Sequence, residues 1–161
     1  MFPLRDTASR RRIPIATLFI IAINVMVFVD QLSMSYDGFI EMIYKYAFIP
    51  SQFVNGLTQI ESYIPLVTSM FIHGDMLHII SNMWSLWLFG DNVEERMCFF
   101  GFIAFYILTG LIAGFAHFVS NPMSNIPTVG ASGAIAGIMG AYFIMFPHAR
   151  IVTLVPFIPF F

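Results

Sequence analysis

Long apolar runs separated by short polar breaks dominate this chain, and their lengths predict membrane helices rather than a water-facing fold. The first run covers about 14–31 and opens on Pro14, a residue suited to the first turn of a helix. A second covers about 75–90, a third 99–120 and a fourth 131–146. A fifth begins at 151 and reaches 161, where the sequence stops. Crossing lipid takes about 20 helical residues, so this last run reads as the start of a span that continues in a longer protein. The pattern predicts an all-α, polytopic membrane bundle with four full spans and the beginning of a fifth. Residues 1–13 form an N-terminal segment, and 33–72 form one long connection.

That connection is too apolar for a free linker. Phe39, Ile40, Met42, Ile43, Tyr44, Tyr46, Phe48 and Ile49 crowd together, which predicts short helices lying in the membrane interface. Composition agrees with the run pattern: 58% of residues are hydrophobic and 10% charged, against about 25% charged in an ordinary soluble domain. The single Cys98 excludes an internal disulfide framework, and a net charge of −2 without a basic patch gives no footing for nucleic acid. Arg5, Arg10, Arg11 and Arg12 precede the first run, so the positive-inside rule puts the N-terminus in the cytoplasm. Alternation then puts Arg96 and Arg150 inside and Lys45 outside. A start of this kind suits a bacterial or archaeal cytoplasmic membrane.

The polar residues inside the runs carry the chemistry. Gly130-Ala131-Ser132-Gly133 opens the fourth run, and Ser132 falls in a first turn, among unpaired N–H groups at the positive end of the helix dipole. That run is short, so its outer end is expected to lie below the membrane surface. In the second run His78 and Asn82, four residues apart, share one face at a similar depth. Asp75 and Ser85 extend the same stripe. Polar groups in lipid normally face the bundle interior or a wet cavity, and the plainer reading of His78 and Asn82 is hydrogen bonding between helices. Their depth beside Ser132 favours a shared site.

His73-x4-His78-x3-Asn82 followed by Gly130-x-Ser132-Gly133 resembles the rhomboid intramembrane serine proteases, from about Pro65 onward. Gly90-x3-Glu94 resembles the turn after that family's second span. The resemblance implies a bundle of six or more spans that cleaves transmembrane protein substrates in the lipid bilayer, without cofactor or metal. It implies Ser132 as nucleophile, His78 and Asn82 as oxyanion donors, and His73, Gly130 and Gly133 as supporting positions. In the family, the small-residue surface of Gly133, Gly137 and Gly140 packs against a sixth span that supplies the histidine of a Ser–His dyad. That span falls beyond this sequence, so the 161-residue chain is expected to lack the base.

There are departures. Ile64-Pro65 stands where the family usually has a Trp-Arg pair, and Cys98 stands where a Gly often follows the Glu94 turn. Among the other histidines, His117 sits at the right level to reach Ser132 but reads first as a packed residue, while His148 lies on the far side. Cys98 reads as a packed thiol. Glu94, Glu95 and Arg96 read as a solvated turn, with Glu94 free to cap backbone amides. Gly110-x3-Gly114 reads as helix packing. Two other functions compete: an inactive relative that binds membrane helices, and a metal carrier built on His73, Asp75, His78 and His117.

Overall fold

A computed structural model describes residues 2–8 and 12–154. Arg10, Arg11 and residues 155–161 of the fifth run lie outside the described residues. Helix α1, Ile15–Ser33, begins directly after Pro14. It buries Ala16, Thr17, Ile20, Asn24, Phe28 and Gln31, one stripe at spacings of three and four. Its other faces expose Phe19, Met26 and Val29, a continuous apolar surface that suits lipid rather than water.

The long connection folds into short helices, as its apolar content predicts. Helix α2, Tyr36–Tyr46, is capped by the Ser35 hydroxyl, which accepts from the Gly38 amide. Helix α3, Pro50–Asn55, and helix α4, Pro65–Thr68, each start on a proline at the first turn; single 3-10 turns occupy Ile60–Tyr63 and Ser69–Phe71. The Ile64-Pro65 departure thus serves as a helix start. Phe53 packs edge-on against Phe48, Tyr63 and Phe118, with centroids 5.2–5.6 Å apart. These contacts fasten the connection to the end of a long helix.

That helix, Met76–Ser120, is 45 residues long and breaks at Cys98, whose φ of 60° and ψ of 171° are not helical. We treat its arms as α5, residues 76–97, and α6, residues 99–120. They fold back on each other: a Cβ placed on Gly90 would lie 3.2 Å from the Phe102 ring. Each arm is about 33 Å long at about 1.5 Å per residue, enough for a hydrocarbon core of about 30 Å. Helix α7, Ser132–Met145, has 14 residues and reaches only about 21 Å.

Among the described residues Ile15–Ser33 and Met76–Ser120 are long and apolar enough to cross a membrane, the second through its two arms, and Ser132–Met145 is a shorter apolar helix. Two expectations need correcting. The second run does not end at Gly90; it stays helical to Met97, and Glu94 within it is buried rather than solvated. The fold is not purely helical. Ile151–Leu154 is a strand, β2, where a fifth span was expected to start, and it pairs antiparallel with β1, Phe2–Asp6. The N-terminal segment is therefore tied down. Asp6 accepts from the Tyr142 hydroxyl at 2.6 Å and from the Asn92 amide at 3.0 Å, and the Trp84 indole donates to the Pro3 carbonyl at 2.7 Å.

Glu94 anchors the other end of α1. Its carboxylate accepts from the Ala16 and Thr17 amides and the Thr17 hydroxyl, each at 2.8 Å. Those are unpaired donors at the positive end of a helix. Gly90 lets Thr17 come close, since a Cβ there would sit 3.1 Å from the Thr17 hydroxyl. The Gly90-x3-Glu94 spacing thus does two jobs on one helix face, admitting Thr17 and then binding it. The core between α5, α6 and α7 contains Leu86, Val93, Phe102, Tyr106, Ala134 and Ile138.

Candidate active site

Ser132 is the first residue of α7, and its side chain is exposed. The turn before it depends on Gly130, whose φ is +111°, a conformation that residues with a Cβ rarely adopt. Gly130 is also pressed against the second helix. A Cβ there would lie 2.6 Å from His78 Nε2 and 3.6 Å from Asn82 Nδ2. The Gly130 amide donates to the Ser69 carbonyl at 2.8 Å, which fixes the turn against the outer connection. His78 and Asn82 therefore meet the chain two residues before Ser132.

Their polar atoms have few other commitments. Asn82 is buried, and its Nδ2 has no hydrogen-bond partner. A buried donor left unpaired costs about 1–3 kcal/mol, which nothing in the helix itself recovers. The other members of the polar stripe do not join this pair. Asp75 caps α5, accepting from the His78 amide at 2.8 Å, and the Ser85 hydroxyl donates to the Ser81 carbonyl at 2.8 Å. Asp75 is thereby turned to the backbone, and helix geometry on its own could not distinguish a capping carboxylate from a site carboxylate.

His73 lies behind His78. Its ring is fully buried, meets the His78 ring edge-on at 5.0 Å, and has neither nitrogen hydrogen-bonded. Burial first, and His78 second, push its pKa down to about 4; the Phe71 main chain acts the other way without a hydrogen bond of good geometry. The backbone of His73 is gripped by Gln31 of α1, whose amide nitrogen donates to the His73 carbonyl at 2.8 Å while its oxygen accepts from the His73 amide at 3.2 Å. Gln31 was not anticipated, since a glutamine near the end of an apolar run carries no signal of its partner.

A cavity of about 200 Å³ lies beside the serine, lined among others by Ser132, Gly130, Met70 and His117. His117 thus shares a space with Ser132, but its buried Nε2 has no partner, so that atom does not hold the hydroxyl. The glycines of α7 do not form one surface. Gly133 faces Ala113 and Gly137 faces Thr109, both on α6, whereas a Cβ on Gly140 would meet nothing within 4 Å. Packing of Gly133 and Gly137 is thus with the third run, and Gly140 has no packing role among the described residues. The exposed stripe is instead Ser132, Ala136 and Gly140, spaced by four. Cys98 is exposed rather than packed.

A family model described as the Rhomboid domain matches residues 61–161. Presenilin-associated rhomboid-like protein A, mitochondrial, from Danio rerio is 31% identical over 100 residues, which are 60% of this chain and 26% of that protein. Rhomboid protein 1, mitochondrial, from Saccharomyces cerevisiae is 28% identical over 100 residues, 60% of this chain and 29% of that protein. RHOMBOID-like protein 5 from Arabidopsis thaliana is 33% identical over 76 residues, 47% of this chain and 25% of that protein. The chain spans less than a third of the length of each. Two of the three are mitochondrial by name, so these matches do not favour the bacterial or archaeal membrane expected from the arginines.

Proposed function

The chain belongs to the rhomboid family, and from that premise we propose that it is the nucleophile-bearing part of an intramembrane serine endopeptidase. Family and apolar helices together make it an integral membrane protein. Ser132 attacks a peptide carbonyl in or near a transmembrane segment of a substrate protein. The developing oxyanion takes hydrogen bonds from His78, from Asn82 and from the amide of Ser132. Donors aimed in advance at such a charge act mainly on the transition state. The observation that carries the reading is Asn82 Nδ2, a buried donor without a partner, beside a glycine turn that leads directly into the serine.

A serine hydroxyl needs a base before it becomes nucleophilic. The proposed base is a histidine on a segment beyond residue 161, seated on the exposed stripe of Ser132, Ala136 and Gly140. Small residues at that spacing allow close helix approach. The N-terminus is proposed to lie on the cytoplasmic face, with the site opening toward the opposite face. His73 keeps the His78 ring oriented, and Gly130 lets the turn approach both donors.

The competing reading, an inactive member that binds membrane helices, draws on one observation: His117 Nε2 makes no hydrogen bond, so it does not activate the serine. Labelling of the full-length protein in detergent with a fluorophosphonate decides between them. Labelling of wild type that Ser132→Ala abolishes supports the protease. Absence of labelling in wild type, together with retained binding of transmembrane helices, supports the inactive member.

A further inference from the structure

The end of the bundle away from Ser132 gathers three arginines that the proposed reaction does not use. Arg5, Arg96 and Arg150 stand far apart in the sequence, and all three are exposed. In the β1–β2 ribbon Arg5 pairs with Val152 and Asp6 with Ile151, which puts Thr7 opposite Arg150. The Thr7 amide donates to the Arg150 carbonyl at 3.0 Å, and the Thr7 hydroxyl accepts from the Arg150 amide at 2.9 Å. Arg5 and Arg150 are therefore diagonal neighbours on one face of the ribbon, about 7–8 Å apart. Arg96 comes to the same place from α5. It lies one helical turn beyond Asn92, whose side chain holds Asp6, and its guanidinium sits over the Phe146 ring at 5.3 Å. The Ala149 amide donates to the Phe146 carbonyl at 3.0 Å, so a single tight turn separates that ring from Arg150. The carboxylates of this end are already occupied. Asp6 binds Tyr142 and Asn92, Asp91 accepts from the Asn92 amide at 2.6 Å, Glu94 holds the start of α1, and Glu95 is engaged too.

We infer that Arg5, Arg96 and Arg150 together bind the phosphate of an anionic phospholipid, at a site independent of what Ser132 does. A guanidinium presents a planar fork of donors that matches phosphate oxygens, and basic clusters at the ends of membrane helices take anionic headgroups. Two features favour a lipid over a soluble anion. The arginines lie where α5 and α7 end and α1 begins, which is headgroup height for a membrane bundle. The ribbon then leads from them along the bundle wall. It climbs α5 from Asn92, bonded to Asp6, to Trp84, bonded to Pro3, a rise of about 12 Å. Along one face of β2 the order is Arg150, Val152, Leu154, and the last two are 40% and 55% exposed. Charge at the end and apolar surface deeper in is the order of a phospholipid from head to tail. A soluble phosphate would leave that apolar surface bare, whereas an acyl chain covers it.

The test titrates full-length protein in neutral detergent with phosphatidylglycerol and, separately, with phosphatidylcholine of the same acyl chains, read by native mass spectrometry. Wild type should bind the first phosphatidylglycerol about tenfold or more tighter than phosphatidylcholine. Arg5→Gln, Arg96→Gln and Arg150→Gln should each weaken phosphatidylglycerol about fivefold, the worth of one basic residue at an anionic surface. Arg150→Lys, which keeps the charge, should retain most of the affinity. Phosphatidylcholine binding and the unfolding midpoint should stay unchanged in all of them, which shows that the variants fold. Arg12→Gln is the control, since Arg12 is exposed at the same end but lies beside Glu95 and Cys98; it should alter phosphatidylglycerol binding less than twofold. Equal affinity of wild type for the two lipids overturns the inference. So does an equal loss in Arg12→Gln, which would mean diffuse charge and no site. Release of the bound lipid by millimolar inorganic phosphate would give the arginines to a soluble anion and overturn the lipid assignment.

Discussion

Replacing Cys98 by glycine should stabilise the protein, because its backbone demands what only glycine does easily. The chain reverses between α5 and α6 at this residue, with φ of 60° and ψ of 171°. That region is populated almost solely by glycine, and occupying it with another residue costs about 1–3 kcal/mol. The thiol is exposed, so removing it sacrifices no packing. Glycine has a cost of its own: greater freedom in the unfolded chain opposes folding by about 0.5–1 kcal/mol. Taken at their midpoints, the two leave a net gain of about 1 kcal/mol. Equilibrium unfolding of full-length protein in detergent, followed by circular dichroism, reads this directly. Cys98→Ala is the essential control, since it deletes the thiol and keeps the Cβ. Wild type and Cys98→Ala should unfold together, with Cys98→Gly distinctly later. A glycine variant no more stable than the alanine variant would refute the strain argument, whatever either does relative to wild type.

Glu94→Ala should destabilise by about 2–4 kcal/mol, because it strips a carboxylate from three donors at the start of α1; an unchanged unfolding midpoint would show that water replaces the carboxylate without loss. In the protease, Asn82→Ala should lower kcat by about 10²–10³ with KM little altered, the signature of a group acting in the transition state. A change confined to KM would make Asn82 a binding residue. Acid should weaken the fold through His73. The folded ring titrates near pH 4 and the unfolded one near 6.5, so the unfolded chain takes up the proton first as pH falls. The stability present in full above pH 6.5 is then lost toward pH 4, by about 2 kcal/mol between pH 7 and 5. His73→Phe should flatten that slope, and an equal slope in both proteins would count against the assignment.

Much of the architecture was legible because the apolar runs are long and the breaks between them are chemically distinct. The short helices of 33–72 followed from aromatic and aliphatic crowding, and the stretch opening at Ser132 from glycine and serine at a helix start. His78 and Asn82 were legible through helical spacing. What sequence could not show was long-range pairing. Glu94 was read as a turn residue free to cap backbone amides, and it does cap amides, but those of Ala16 and Thr17 on a helix far away in sequence. Asp75 looked like part of a site stripe, although it caps its own helix. Gly133, Gly137 and Gly140 looked like one packing surface, although helical rotation turns the first two to α6 and leaves the third in the open. The strand at Ile151–Leu154 was missed because four residues, three of them apolar, are too few to carry a period that separates strand from helix.

The Glu94 carboxylate also bears on how this molecule is made. Thr17 and Glu94 are separated by 77 positions along the chain, and a ribosome adding about 5–20 residues per second takes roughly 4–15 s to cover that interval. During those seconds the first helix stands in the bilayer with its leading amides unanswered, held by greasy side chains alone. Its permanent anchor arrives only with the end of α5. Nascent chains stalled between these two points should therefore be the ones most readily extracted or degraded, and release past residue 94 should lock the first helix in place.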